Sequence, residues 1–164
     1  MKAITVKQPW ANIICSGIKD VENRTWKTNY RGRVLIHASA KPSVILFDLV
    51  KSGFFSDEQR HNIVMDDTKN AMSYDELITG AIIGSIEIVD CVKNHPSIWA
   101  EDGVWNWVLA NPILFKEPIK NVKGKLSFWE SGINECSKCG KPTNLTCVVC
   151  DECFRVIWDE FFCE

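Results

Sequence analysis

The pattern of apolar and polar residues along the chain predicts several short strands with few helices between them. Apolar residues alternate with polar ones or form short β-branched runs, which is typical of strands. The segments with this pattern are residues 2–6, 20–26, 34–37, 80–89, 105–109, 113–115 and 126–129. Glycines punctuate the isoleucine-rich run 80–89, where a barrel strand is able to bend. The sequence therefore predicts an α+β fold, a small β-barrel with flanking helices.

Helical signals are few and short. Between Pro9 and Gly17 the apolar residues recur at helical spacing, with proline suited to the first turn and glycine to the C-terminal cap. Ser56 and Gln59 have the spacing of a capping box, which predicts the start of a polar helix. The apolar segment 44–50 is also predicted to be helical.

Length and composition indicate a soluble globular protein. The 164 residues suffice for one ordinary domain with a small appendage, and 46% apolar and 24% charged content is typical of such proteins. No window approaches the roughly 18 apolar residues of a membrane span, and the N-terminal residues lack the features of a signal peptide. We therefore expect a cytoplasmic protein with no membrane partner. In that compartment, clustered cysteines indicate metal binding more often than disulfides.

The formal net charge of −2 is unevenly distributed. Residues 134–164 carry three basic and six acidic side chains, a net charge of −3, which leaves a net charge of +1 for residues 1–133. A nearly neutral body of this kind is not expected to hold long duplex DNA by its phosphates. Any contact with nucleic acid is therefore predicted to be local.

The densest group of chemically capable residues lies between two tryptophans, Trp10 and Trp26, and holds Lys19, Glu22 and Arg24. If the chain is extended here, Glu22, Arg24 and Trp26 share one face, because side chains alternate along a strand. Such a concentration of charges and indoles predicts the wall of a binding site. The alternative is a solvated strand with an ion-pair network and core tryptophans.

Each of these side chains suits the recognition of a nucleotide. Arg24 offers a planar fork of donors to a phosphate or a base edge. Burial would shift Lys19 towards a neutral base or nucleophile, and Glu22 is able to accept from an exocyclic amine. Stacking of a base on Trp10 or Trp26 would contribute about 1–3 kcal/mol.

Residues 17–24 fit the pattern G-x-K-x-x-E-x-R, and through it the chain resembles the ASCH domain family. Residues 8–11, 31–38 and 122–126 are similar to that family in the same order, so the likeness spans roughly residues 1–133. The resemblance implies a β-barrel related to the PUA fold, a common RNA-binding module. It also implies that Lys19, Glu22 and Arg24 line a cleft at the barrel.

On these grounds we expect a binding module that holds single-stranded RNA or a modified nucleotide in a cleft. His37, at the end of a strand, either reaches this cleft or is a hydrogen-bonded structural histidine. The predicted ligand-binding residues are Gln8, Trp10, Lys19, Glu22, Arg24, Trp26 and His37.

The alternative is a hydrolase that acts on a modified nucleoside or on RNA. The resemblance includes bacterial family members that deacylate acetylated cytidine, and these have a threonine at the position of Glu22. A carboxylate there cannot be the hydroxyl nucleophile, so an enzyme of this sequence would use Lys19 and Glu22 as acid–base groups. An amidohydrolase, a deacylase and a ribonuclease all remain open.

Cysteine pairs in the tail predict a structural Zn²⁺ site. Cys136 and Cys139 form one C-x-x-C pair, and Cys150 and Cys153 form a second, which is a strong signal for tetrahedral zinc in a zinc ribbon or treble clef. We prefer these four ligands because the second pair precedes a predicted helix, whose N-terminus favours thiolates. Cys147 is the competing ligand, and iron or a set of disulfides is the minor alternative.

The predicted organisation is thus a barrel domain over residues 1–133 and a zinc-binding module over residues 134–164. Because the module is acidic and aromatic, it is expected to bind phosphates poorly. A protein partner is the contact predicted for its surface.

Overall fold

The computed structural model describes residues 1–41, 55–64, 77–136 and 142–143. The predicted helix 44–50 and most of the predicted zinc module lie outside these ranges. The chain divides into two compact units, one of residues 3–129 and one that combines residues 1–2 with 130–164. The domain boundary expected near residue 133 remains a prediction.

A six-stranded mixed sheet forms a half-barrel with few helices, as expected of a PUA-like α+β fold. Its order is β2-β5-β4-β3-β1-β6. β1 and β3 are parallel, whereas β3–β4, β4–β5 and β5–β2 are antiparallel. The strands are β1 (Lys2–Val6), β2 (Val21–Arg24), β3 (Gly32–Ala38), β4 (Ala81–Val92), β5 (Trp105–Ile119) and β6 (Phe128–Glu130).

Two helices are described, and both follow the predicted signals. α1 (Trp10–Cys15) buries most of its residues, and Gly17 just beyond it has a φ of 81°, the left-handed conformation that glycine adopts readily at a helix end. α2 (Asp57–Val64) begins with the predicted capping box. There Ser56 N donates to Gln59 Oε1 (2.9 Å) and Gln59 N donates to Ser56 Oγ (3.1 Å).

β5 differs from the sequence prediction of two separate strands. The Asn111–Pro112 pair suggests a turn, but a single strand runs through it. Asn111 takes a φ of 47°, and the β4–β5 register shifts between Ser85 and Glu87. These irregularities are bulges, which absorb the proline and bend the two long strands without ending them.

The core joins buried residues of α1 to those of the sheet strands β1, β3, β4 and β5. Trp107 is fully buried and stacked on Phe128 at 5.3 Å, with Trp26 edge-on to both rings. Gly84 permits the close approach of α1 to β4, because a Cβ there would lie 2.6 Å from Cys15 Sγ. Glycine is therefore required at this contact by space rather than by φ.

The smaller unit is organised around the N-terminus. The amino group of Met1 donates to Ile133 O, and Met1 O accepts from Ser131 N (3.1 Å) and Ser131 Oγ (2.7 Å). A two-stranded ladder pairs β7 (Asn134–Glu135) with β8 (Pro142–Thr143). Across the described parts of both units, no helix is long and apolar enough to cross a membrane.

Candidate ligand-binding site

Strand β2 fixes the orientation of the charged motif. It is an edge strand, and its antiparallel register places Glu22 opposite Trp107 and Arg24 opposite Trp105. Directly opposed residues share a face of the sheet, so Glu22 and Arg24 project onto the face that carries these two indoles. Asn23 projects onto the other face.

Lys19 is held in the interior by the turn that follows α1. Its backbone N–H donates to Ile13 O at 3.0 Å, and its Nζ donates to Val21 O. The Nζ lies 3.7 Å from Glu22 Oε2, and the lysine side chain is only 6% exposed. Burial lowers the pKa of Lys19 below its usual value, whereas the negative charges of Glu22 and then Glu101 oppose this shift.

Arg24 completes a chain of three charged groups. Its Nε lies 3.0 Å from Glu22 Oε1, an ion pair in which the N–H is not directed for a hydrogen bond. The guanidinium donates through Nη2 to Thr5 O at 3.2 Å and lies 5.8 Å from the centre of the Trp107 ring. The structure therefore brings together Lys19, Glu22 and Arg24, with the carboxylate between two cations.

A pocket of ≈ 240 Å³ adjoins Lys19. An aromatic cluster forms one of its walls, because Phe55 lies edge-on to Trp10 at 5.6 Å and to Trp99 at 5.9 Å. The residues that line it are Trp10, Lys19, Asn23, Phe55, Gln59, Trp99, Ala100 and Glu101.

Two amide side chains hold the walls of this pocket in place. Asn23 Nδ2 donates to Trp99 O (2.9 Å), and its Oδ1 accepts from Glu101 N (3.3 Å). Gln59 Nε2 donates to Ile98 O (2.7 Å), while its Oε1 serves the capping box of α2. Both amides are therefore engaged with the protein itself. The charged residues that line the pocket are Lys19 and Glu101.

The other predicted ligand residues lie elsewhere. Gln8 is fully buried, with Nε2 donating to Ile78 O (2.9 Å) and Oε1 accepting from Asn12 N (3.1 Å). Trp26 packs against the core, and its carbonyl accepts from Trp107 Nε1 (3.3 Å). These two side chains therefore have structural contacts, and a ligand role for them remains a prediction.

His37 is buried, and its Nε2 lies 2.9 Å from Val122 O. A Cβ at Gly124 would lie 2.5 Å from the imidazole ring, so this glycine allows the chain to pass over the histidine. This arrangement is that of a hydrogen-bonded structural histidine, one of the two roles predicted from the sequence. Burial lowers the pKa of His37, and the hydrogen bond to Val122 opposes the shift only in part.

Sequence reasoning missed five of the residues that line the pocket: Asn23, Phe55, Gln59, Trp99 and Glu101. Gln59 was predicted only as part of the capping box of α2. That capping box was the one sequence signal for a helix at this wall of the pocket. Trp99 and Glu101 lie in a segment without periodicity, so their approach to Lys19 depends on tertiary packing.

The described residues contain no group of three or more His, Cys, Asp or Glu side chains that could hold a metal ion. Of the predicted zinc ligands, Cys136 belongs to the described residues, follows β7 and is buried. The other three ligands lie outside the described ranges.

The half-barrel and the G-x-K-x-x-E-x-R motif of residues 17–24 are consistent with the ASCH domain family. The sequence profile of this family matches residues 4–119, and the chain belongs to it.

Among known proteins, the chain is similar to activating signal cointegrator 1 of Homo sapiens, with 29% identity over 148 residues, and to the Mus musculus protein of the same name, with 27% identity over 151 residues. In both cases the matched region is 84% of this chain but 24% of the relative. The chain thus spans about a quarter of the length of these relatives.

Proposed function

We propose that this protein binds RNA by holding a single nucleobase in the pocket beside Lys19. The observation that carries the proposal is the joint lining of that pocket by an aromatic cluster, a buried ammonium group and a carboxylate. Membership of the ASCH family supports it, since the resemblance to that family implies contact with RNA or other nucleic acids.

The size and the walls of the pocket favour a base over a larger ligand. Pockets for drug-sized molecules usually measure about 300–1,000 Å³, so ≈ 240 Å³ suits a smaller flat group. Trp10 is partly accessible and edge-on to Phe55, and its ring offers the kind of face on which bases stack.

The polar groups of the pocket complement a base edge. Glu101 is able to accept from an exocyclic amine or a ring N–H, and Lys19 is able to donate to a carbonyl oxygen. Glu22 and Arg24 do not line this pocket, so their proposed role is to hold Lys19 and the edge strand in position. Arg24, at 27% side-chain exposure, also offers donors to a neighbouring phosphate.

Titration of tryptophan fluorescence with the four ribonucleosides and their monophosphates tests this proposal. Glu101→Gln should weaken binding of the preferred nucleoside about tenfold or more, because a hydrogen bond to a charged group contributes about 1.5–3 kcal/mol. Asp102→Asn is the matched control, since it removes the same charge from an exposed neighbour. Equal affinities for the two variants would contradict the assignment of the pocket.

The lowered pKa of Lys19 and its contact with Glu22 favour a second candidate function, the hydrolysis of a modified nucleoside. Lys19 and the Glu22 carboxylate, 3.7 Å apart, form an acid–base pair for this reaction. Glu22 would take a proton from the water that attacks the acetyl carbon of acetylated cytidine. Lys19 would donate a proton to the amine as the carbon–nitrogen bond breaks, which releases acetate and cytidine. Incubation of acetylated cytidine with the protein tests for turnover. Product formation that Lys19→Met abolishes would establish the hydrolase, whereas binding without turnover would leave the recognition module.

For the tail, we propose a structural Zn²⁺ held by Cys136, Cys139, Cys150 and Cys153. Four thiolates in two C-x-x-C pairs form a closed tetrahedral set, and the burial of Cys136 after β7 suits such a ligand. The reducing cytoplasm proposed for this chain would keep these thiols available to the metal. The acidic surface of the tail is proposed to contact a protein partner rather than phosphate.

A further inference from the structure

A second group of cations surrounds Trp105, on the face of β2 and β5 that carries Arg24. The ammonium groups of Lys27 and Lys93 each lie 5.2 Å from the centre of the Trp105 ring. Arg24 is the cross-strand partner of Trp105, and Lys93 directly follows β4 on the other side of β5. These four residues are called the Trp105 row below.

Positive charge in the Trp105 row is only partly compensated. Arg24 is paired with Glu22, but within the described ranges neither Lys27 nor Lys93 forms an ion pair or a hydrogen bond. Both lysines are exposed, and the negative face of the indole attracts each ammonium group. The row is therefore a local concentration of positive charge on a chain whose formal net charge is −2.

The acidic group of the base pocket lies on the opposite side of the edge strand. Glu101 N donates to Asn23 Oδ1, and Asn23 projects onto the face of β2 opposite to that of Arg24. Asn23, which lines the pocket, and Arg24 of the Trp105 row thus lie on opposite faces of the same strand.

We propose that the Trp105 row binds the phosphodiester backbone of a single-stranded oligonucleotide whose base occupies the pocket beside Lys19. The inference rests on the proposed function and extends its contacts from a single base to the backbone of a single strand. Cations grouped around a partly accessible aromatic ring are the combination by which proteins follow a single strand. A duplex would require a broader basic surface than these three cations provide.

Binding measurements across a range of salt concentrations test this inference. The ligands are oligouridine and oligothymidine of about ten nucleotides, and the free nucleoside. The informative protein carries both Lys27→Gln and Lys93→Gln. The control carries Lys116→Gln and Lys120→Gln, which remove the same charge from exposed lysines outside the row.

Each phosphate contact with a single strand contributes about 0.7 to the slope of log K against log salt, so the double variant should flatten this slope by about 1.4. If the double variant and the wild type bind the oligonucleotide equally at about 1 M salt, the double variant should bind it about 25-fold more weakly than the wild type at about 0.1 M salt. The nucleoside should bind both double variants as it binds the wild type. The uridine and thymidine oligomers differ in the sugar and in the C5 methyl group of the base, and lysine-dependent binding of either one supports the inference.

Equal salt slopes for the two double variants would overturn the inference, and so would an oligonucleotide affinity no higher than that of the nucleoside. Binding of polyglutamate as tight as that of oligouridine would also overturn it, in favour of an acidic peptide. If the nucleoside alone fails to bind while the oligonucleotide retains its lysine-dependent salt slope, the pocket proposal fails and the role of the row stands.

Discussion

The ammonium group of Lys19 lies 3.7 Å from the carboxylate of Glu22, with 6% and 11% of the two side chains exposed. A pair so deeply buried differs from a surface ion pair, because each charge has lost its water and depends on the other. The same carboxylate also contacts Arg24 Nε at 3.0 Å. The G-x-K-x-x-E-x-R motif therefore holds three charged side chains together at the edge strand and also contributes Lys19 to the pocket.

Glu22→Gln should destabilise the fold severely while leaving the volume of the side chain nearly unchanged. The substitution leaves Lys19 buried without its paired carboxylate, and loss of one partner of a buried pair costs about 3–5 kcal/mol. The pKa of Lys19 should also fall further, since Glu22 is the strongest influence that raises it. Denaturant unfolding measures the loss in the free energy of unfolding.

Glu130→Gln is the control for Glu22→Gln. It breaks the exposed pair in which Lys2 Nζ lies 3.0 Å from Glu130 Oε1. Because water screens that pair, its loss should change stability little. Equal effects of the two substitutions would show that the burial of Lys19 and Glu22 does not set the strength of their interaction.

Gly84→Ala should disrupt the contact between α1 and β4. The added Cβ would lie 2.3 Å from Ile113 O and 2.6 Å from Cys15 Sγ, and a backbone oxygen in a sheet cannot move aside cheaply. Overpacking of this kind costs about 3 kcal/mol, which corresponds to a loss of about 6–12 °C in Tm.

Gly103→Ala separates this steric effect from a conformational one. Nothing lies within 4 Å of a Cβ there, but the φ of 77° is left-handed. We expect a cost of about 1–2 kcal/mol from the backbone alone. A smaller loss of Tm for Gly84→Ala than for Gly103→Ala would contradict the assigned close contact.

Local patterns sufficed for the strands, for the capping box at Ser56 and for the joint placement of Lys19, Glu22 and Arg24. Each of these depends on periodicity or on a motif only a few residues long. The division at Asn111–Pro112 was wrong, because a proline that usually ends a strand lies here at a bulge in a long one. Whether a strand continues through a proline depends on its pairing with the neighbouring strand, here β4, and the local sequence does not reveal that pairing.

The pocket is the clearest example of what could not be predicted. Lys19 was identified from its motif, but Trp99 and Glu101 come from a loop some 80 residues further along the chain. Asn23 holds that loop by hydrogen bonds to Trp99 O and Glu101 N. The motif leaves the residue at position 23 unspecified, yet its side chain positions the pocket wall. Contacts of this range depend on the packed fold rather than on spacing.

Removal of a single proposed zinc ligand should release the metal. We expect one zinc ion per chain in the wild type and its loss in Cys139→Ser and Cys153→Ser, because a structural site needs all four ligands. Cys147→Ser is the matched control and should retain zinc. Elemental analysis of the purified proteins measures the content, and loss of zinc in Cys147→Ser with retention in Cys153→Ser would favour the competing ligand set.

His37 should make the stability of the barrel depend on pH below about 6.5. Its ring is buried, Nε2 contacts Val122 O, and Nδ1 has no hydrogen-bond partner among the described residues. A proton on Nδ1 would therefore lie buried beside Gly124 without an acceptor. This environment explains why the pKa of His37 is lowered from about 6.5 in the folded state.

The sign of the effect follows from this direction. Between the folded pKa and about 6.5 the unfolded chain binds more protons than the folded one, so the free energy of unfolding rises with pH. The contribution of His37 is fully present above about pH 6.5 and is lost as the pH falls through the folded pKa, at no more than about 1.4 kcal/mol per pH unit. His37→Gln should remove this slope whatever its effect at neutral pH. Denaturant unfolding of both proteins between about pH 5 and pH 8 measures the difference, and parallel profiles would show that His37 is able to take up a proton without loss of packing.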